Sequence, residues 1–355
     1  MNPSATRRVS SLAGQVGLTE RLFASGSDKK LARTIDDGIA RLEVGLERQL
    51  AYTDDLADVT ARYLLEAGGK RIRPLLTLLI SQLGDGVTED VLTAAEAIEI
   101  THLGSLYHDD VMDDADKRRG VPSAHQVFGN NTAILTGDLL FARASQLMAD
   151  LGERAIRMQA GTFERLVLGQ LHETIGPREG EDAVEHYIQV LSDKTGSLIA
   201  VAAQSGVIFS HAPAEFEQPV VDFGEKIGIA FQLIDDVIDL SPQPEETGKV
   251  PGTDLRAGVV TLPMLYLRRE ALVDPSAADL VARIDAAASA SDAEHDPVAF
   301  AAIVTELREH AVTERTFTEA HAWADDAIAA IAPLPDGSVK KALINFAEAV
   351  VDRTS

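Results

Sequence analysis

Residues 227–240 read IGIAFQLIDDVIDL. The polar side chains Gln232, Asp235, Asp236 and Asp239 fall in one narrow stripe of an α-helix, and every other face is apolar. A helix apolar over most of its circumference is a buried helix. Carboxylates on such a helix are prohibitively costly unless they face water or hold cations. The stripe is therefore expected to line an internal cavity.

Working outward, a second segment repeats the pattern. Residues 97–114, AIEITHLGSLYHDDVMDD, place Asp109 and Asp113 one turn apart with Asp110 beside them, and His102 and Ser105 continue the stripe toward the N-terminus. A single Asp-Asp-x-x-Asp helix is usually a solvated acidic face. Two of them on otherwise apolar helices call for a shared explanation, and hard divalent cations supply one. Mg²⁺ takes oxygen ligands and is typically held by one or two carboxylates together with substrate phosphates. Helix bundles build such sites from facing helices.

The rest of the chain supports an all-α reading as a single domain over 29–355. IDDGIARLEVGLERQLAY, VTARYLLEAG and PLLTLLISQLG repeat apolar residues at three- and four-residue intervals. Further helices are expected at 90–114, 130–150, 153–175, 181–210, 214–240, 260–271, 276–289, 297–332 and 337–352. Gly, Pro or Asp mark the breaks at 120–122, 176–180 and 241–258. Residues 1–28 read as a polar, flexible N-terminal arm, and 284–297 as a surface excursion. No fixed-period repeat suggests a solenoid.

Bulk composition narrows the function. Of 355 residues, Lys+Arg number 32 against Asp+Glu 56, a formal charge of -24 that repels polyanions and argues against nucleic acid as a partner. A small anionic substrate stays admissible where bound metal dominates the local field. With no cysteine, disulfides, thiolate metal sites and cysteine nucleophiles are excluded. No uninterrupted run of about 20 apolar residues suggests a membrane span, and the cytoplasm is the default location.

Against this acidic background, GGKRIRP at 68–74 gathers Lys70, Arg71 and Arg73 at a Gly-rich turn before a helix, where backbone N–H groups also favour an anion. KRRGVP at 117–122 adds Arg118 and Arg119, whose planar forks suit phosphate. Taken alone, either cluster is more often a solvated basic patch. Together, GGKRIRP, HDDVMDD, RRGVPSAHQVFGN, LTGDLLF, DKTGSL, FQLIDDVID and TGKVPGTDLRAGVVTLP, in this order from about Ala32 onward, resemble the trans-isoprenyl diphosphate synthase (polyprenyl synthetase) family.

The resemblance implies an antiparallel helix bundle around a deep central cavity, the isoprenoid synthase fold, assembled as a homodimer. It implies a Mg²⁺-dependent prenyltransferase that condenses isopentenyl diphosphate with an allylic diphosphate such as farnesyl or geranylgeranyl diphosphate. Asp109, Asp110, Asp113, Asp235, Asp236 and Asp239 match the residues that hold three Mg²⁺ ions. Lys70, Arg73, His102 and Arg119 match the isopentenyl diphosphate site. Arg118, Lys194, Thr195, Gln232 and Lys249 match the grip on the allylic diphosphate. Val259 stands where many members carry a lysine, and Arg256 is a candidate to replace that cation.

Chain length in this family follows cavity depth. Gly104 and Ser105 are small where short-chain members carry aromatic residues, so the product is expected to be longer than C20, in the C30–C50 range of quinone side chains such as that of menaquinone. Close helix packing is the competing explanation of both residues. Release of such a product would involve transient membrane contact. The alternatives are a geranylgeranyl-length synthase, a terpene cyclase or head-to-head condensing enzyme of the same fold, and a non-catalytic subunit of a heteromeric synthase.

Overall fold

The computed structural model describes residues 29–241, 251–289 and 296–353. Lys249, the arm 1–28 and part of the 284–297 stretch lie outside the described residues. The described chain is helical apart from one short hairpin, in agreement with the all-α expectation. It divides into two compact units: 1–165 with 197–224 and 330–346, and 166–196 with 225–329 and 347–355.

The first unit is built on α1 (Lys29–Gln49), α2 (Asp55–Glu66), α3 (Ile72–Ile80), α4 (Glu89–Met112), α5 (Ala124–Phe128) and α6 (Asn130–Asp150), with α9 (Ser197–Phe209) in its core. Helix α4 starts where Thr88 accepts a hydrogen bond from the Val91 N–H, and Glu89 and Asp90 complement the positive end of the helix. It packs against α6 along its length and against α1, α3 and α9. Helix α9 buries residues on every side, in keeping with its largely apolar sequence. Its approach to α3 is close: a Cβ on Gly206 would lie 2.8 Å from Ile80 Cβ, and Thr77 Oγ1 donates to the Ala202 carbonyl at 2.9 Å.

Between α4 and α5 the chain makes a hairpin of β1 (Lys117–Arg118) and β2 (Val121–Pro122). The turn residues Arg119 and Gly120 have φ of 53° and 76°, the left-handed pair that a two-residue hairpin demands. The stretch 120–122 thus does break the helices, and it does so as a hairpin that aims two arginines.

The second unit holds the 166–175 part of α7 (Glu153–Ile175), α8 (Ala183–Leu191), the 225–239 part of α10 (Glu217–Asp239), α11 (Thr253–Arg256), α12 (Leu262–Glu270), α13 (Pro275–Ala288), α14 (Pro297–Glu309) and most of α15 (Ala311–Ala330), with the end of α16 (Ser338–Val351). Helix α12 packs on α8 and α13, and α13 on α11 and α14.

Two expected helices differ in detail. The 181–210 helix is interrupted by a π-helical turn at Ser192–Gly196, a wide turn that often marks functional positions. The 297–332 helix breaks at His310, whose backbone is extended (ψ 149°). The Val312 N–H then donates to His310 Nδ1, and Thr313 Oγ1 to the Leu307 carbonyl at 2.7 Å. No Gly or Pro marks that break, so the periodicity runs straight through it.

Candidate active site

In the first unit the aspartate motif occupies the last turn of α4, with Asp113 as its C-cap. Carboxylates at the negative end of a helix are disfavoured by its dipole, so this placement raises the demand for cations. One is supplied locally. Asp110 is fully buried, and Arg118 of the hairpin places its Nε 2.6 Å from Asp110 Oδ1. Burial pushes the Asp110 carboxyl above its ordinary value, and Arg118 pulls against that shift. The other carboxylate oxygen, Oδ2, is buried with no hydrogen-bond partner among the described residues. Asp109 is half-buried and Asp113 exposed.

Arg71 and Arg119 of the first unit meet at one loop. Arg71 takes a left-handed backbone (φ 49°) at the start of α3 and is buried, pairing with Glu43 at 2.7 Å and with buried Glu99 at 2.9 Å. Arg119 donates to the carbonyls of Leu64, at 3.0 Å, and Gly68. Gly69 lies between them: an added Cβ would sit 2.7 Å from Arg71 Nη1 and 2.9 Å from Arg119 Cζ. The Nε of Arg73 is buried without a hydrogen-bond partner among the described residues.

His102 is held neutral in this company. Burial first, and then the charges of Arg73, Arg119, Arg71 and Arg118, keep its imidazole well below the ordinary histidine value. Burial likewise lowers Arg119 to about 10. A loop ringed by guanidinium groups and a neutral imidazole is suited to a diphosphate, whose negative charge relieves the mutual repulsion. The structure thus brings Arg73, His102, Arg118 and Arg119 into one electrostatic neighbourhood, while Lys70 is exposed beside them. Sequence reading missed Glu43 and Glu99, and it counted Arg71 among the cations of the anion-favouring turn. Arg71 is spent on those two carboxylates.

In the second unit the other aspartate motif forms the last turn of α10. Asp236 is buried and satisfied by neutral donors: Tyr187 Oη at 2.9 Å and 3.1 Å to its two oxygens, and the Leu262 N–H at 3.1 Å. Burial outweighs these bonds and pushes its carboxyl up to about 8. Asp235 pairs with Arg353 at 3.1 Å, and Asp239 accepts from the Asp254 N–H at 3.1 Å. Tyr187 and Arg353 carry no motif, and sequence reading did not find them.

Lys194 and Thr195 both lie on the π-helical turn, and Lys194 pairs with Glu173 of α7. The turn is pressed close to its neighbours. A Cβ on Gly169 would approach Lys194 N to 2.9 Å, and Ser192 Oγ donates to Glu225 at 2.6 Å. Gln232 is half-buried on the same stripe of α10 as the aspartates, and Val259 and Arg256 are exposed. In the first unit, Gly104 meets α6: its Cβ would lie 3.2 Å from Phe141 and 3.3 Å from the Gly137 carbonyl, and Gly137 in turn would crowd His108. Ser105 Oγ donates to the His102 carbonyl at 2.9 Å.

The donor set fits a hard divalent cation. The carboxylates supply oxygen ligands at two helix C-termini, and the buried, unpartnered Oδ2 of Asp110 is a group that a cation would satisfy. Among the described residues no group of three carboxylate or imidazole side chains is assembled to hold an ion unaided. Substrate phosphate and water would complete the coordination, the usual arrangement for Mg²⁺.

Comparison with known proteins converges on one family. The family model described as polyprenyl synthetase matches residues 54–295. Nonaprenyl diphosphate synthase of Mycobacterium tuberculosis is 47% identical over 244 residues, 68% of this chain and 73% of the relative. Among solved structures, geranylgeranyl pyrophosphate synthase from Corynebacterium glutamicum, complexed with calcium and isoprenyl diphosphate, is 38% identical with a TM-score of 0.78, covering 92% of this chain and 98% of that one. A polyprenyl synthase from Caulobacter crescentus, also complexed with calcium and isoprenyl diphosphate, gives a TM-score of 0.81 at 28% identity, covering 95% and 98%. On the match over most of its length and on its isoprenoid synthase fold, the chain belongs to the polyprenyl synthetase family, among the trans-isoprenyl diphosphate synthases.

Proposed function

We propose that this chain is a Mg²⁺-dependent trans-prenyltransferase that condenses isopentenyl diphosphate with an allylic diphosphate to give an all-trans polyprenyl diphosphate, C30–C50 in length. The observation that carries the reading is the repeated aspartate turn at a helix C-terminus, each with one carboxylate taken out of water. Such turns have little structural use and a direct use in gripping diphosphate. Residues 29–355 act as one catalytic domain, and both motifs serve the same condensation.

In this mechanism Arg73, His102, Arg119 and Lys70 hold isopentenyl diphosphate. Asp109, Asp113, Asp235 and Asp239 are the metal-binding groups. Asp110 and Asp236, both buried, are the remaining metal-binding carboxylate of each turn. Three bound Mg²⁺ ions would supply charge neutralisation on the departing diphosphate. Lys194, Lys249 and Arg118 hold that diphosphate as the allylic C–O bond ionises, and the Thr195 hydroxyl and Gln232 amide face the cation left behind. The double bond of isopentenyl diphosphate attacks the cation. Loss of a proton to the departed diphosphate then restores a double bond, so no protein nucleophile is needed.

A geranylgeranyl-length product is the second reading, and one observation favours it. A Cβ on Gly104 would press on Phe141 at 3.2 Å and on the Gly137 carbonyl at 3.3 Å, so close packing accounts for its size and that size is not by itself evidence of a deep channel. Ser105 then bears the chain-length argument. The long-chain assignment also draws on the likeness to nonaprenyl diphosphate synthase. No helix among the described residues is long and apolar enough to cross a membrane. A cytoplasmic homodimer that feeds quinone synthesis and touches the bilayer as it releases product completes the proposal.

Incubating the purified chain with Mg²⁺, labelled isopentenyl diphosphate and farnesyl or geranylgeranyl diphosphate, then sizing the products, tests it. Products between C30 and C50 support the reading, and a stop at C20 selects the second. Failure to consume isopentenyl diphosphate returns the cyclase or non-catalytic alternative.

A further inference from the structure

Arg353 follows α16 and reaches back to the second aspartate turn. Its guanidinium is fixed on every side. Nε donates to the Val350 carbonyl at 2.9 Å and Nη2 to the Phe231 carbonyl at 3.0 Å, while the group stacks over the Phe231 ring at 3.9 Å from the centroid. The remaining nitrogen, Nη1, lies 3.1 Å from Asp235 Oδ1. Phe231 and Asp235 are one helical turn apart, so the planar fork spans a single turn of α10.

An ordinary surface ion pair contributes little, because two flexible side chains must be ordered to make it. Here the arginine is ordered already: its side chain is 15% exposed, and two carbonyls and a ring hold it before Asp235 is counted. What it adds at Asp235 is orientation. We propose that Arg353 is a positioning residue for Asp235, holding that carboxylate by one oxygen in the orientation needed for Mg²⁺-dependent binding of the allylic diphosphate. The inference rests on the functional reading above. Lysine could carry the charge but could not reproduce the three hydrogen bonds and the stack.

The test is calorimetric binding of inorganic diphosphate across a Mg²⁺ series, for the wild-type protein, Arg353→Gln and Arg353→Lys, with thermal melts of each. Removing a partner that orients a metal ligand typically costs about 10–100-fold in affinity, and both variants are expected to lose at least about 10-fold in Mg²⁺-dependent diphosphate binding. Wild-type affinity in Arg353→Lys would overturn the proposal in favour of charge alone. Lowered melting temperatures with unchanged diphosphate affinity would overturn it in favour of simple anchoring. In an Asp235→Asn background, Arg353→Lys should cost nothing further; an undiminished additional loss would also overturn it. Mg²⁺-dependent binding by the wild-type protein tests the functional reading on its own, and its absence overturns both.

Discussion

The two aspartate turns share a sequence pattern and a position at the end of a helix, yet they keep their buried carboxylates in different ways. Asp110, in the first, is met by a guanidinium: Arg118 at 2.6 Å, aimed by a hairpin whose turn is left-handed at Arg119 and Gly120. Asp236, in the second, is met by neutral groups, the Tyr187 hydroxyl and the Leu262 N–H. A charged partner stabilises the carboxylate as an anion, whereas neutral donors in a dry site leave desolvation in command. That is why Asp236 is driven up to about 8 while Arg118 opposes the rise at Asp110. The same motif thus builds one turn whose buried carboxylate is met by a charge and one whose buried carboxylate is met only by neutral donors.

The sharpest break of this comparison is catalytic. Asp109→Ala and Asp235→Ala should each lower turnover by several orders of magnitude in a steady-state assay with saturating Mg²⁺. A variant near wild type would remove its turn from the mechanism. Next in size is Arg118→Gln, which strands the fully buried Asp110. Removing one partner of a buried pair costs up to about 3–5 kcal/mol, and partial exposure of Arg118 places the loss near about 3 kcal/mol in denaturant unfolding.

Tyr187→Phe tests the neutral solution in the same assay. Loss of one hydrogen bond to a buried acceptor costs about 1–3 kcal/mol, and less than Arg118→Gln if the comparison holds. The pH dependence follows from the sign of the Asp236 shift. Between the ordinary aspartate value and about 8 the folded protein keeps a proton that the unfolded chain has released, so this group's contribution to stability declines as pH rises through that window and levels off above it. Metal-free wild-type protein should therefore melt progressively lower from pH 5 to pH 8 relative to Asp236→Asn, by about 2–4 °C for each kcal/mol involved. Ser105→Phe is the mildest change: folding and turnover largely kept, with products shortened on chromatographic sizing. An unchanged product distribution would remove Ser105 from control of length.

Much of this was legible in the residues. The aspartate stripes, the Gly-rich basic loop and the Arg-Arg-Gly turn are local patterns, each within a few turns of chain, and local spacing fixes which face of a helix a side chain shares. The His310 break was not legible, because an extended residue held by Thr313 and the Leu307 carbonyl leaves the apolar period intact on both sides. Gly104 was ambiguous for a related reason: smallness serves a channel or a close crossing equally, and only the distances to Phe141 and Gly137 show the crossing.

The sequence alone determined that this is a helical protein with two acidic turns and a cationic loop, since periodicity, charge and motif order are properties of neighbouring residues. Only the tertiary structure decided what each carboxylate meets. Tyr187, Leu262 and Arg353 come to the second turn from far along the chain, and Glu43 and Glu99 to Arg71 likewise. Their identity and distance set the local dielectric and the balance of charge, which spacing along the chain does not encode.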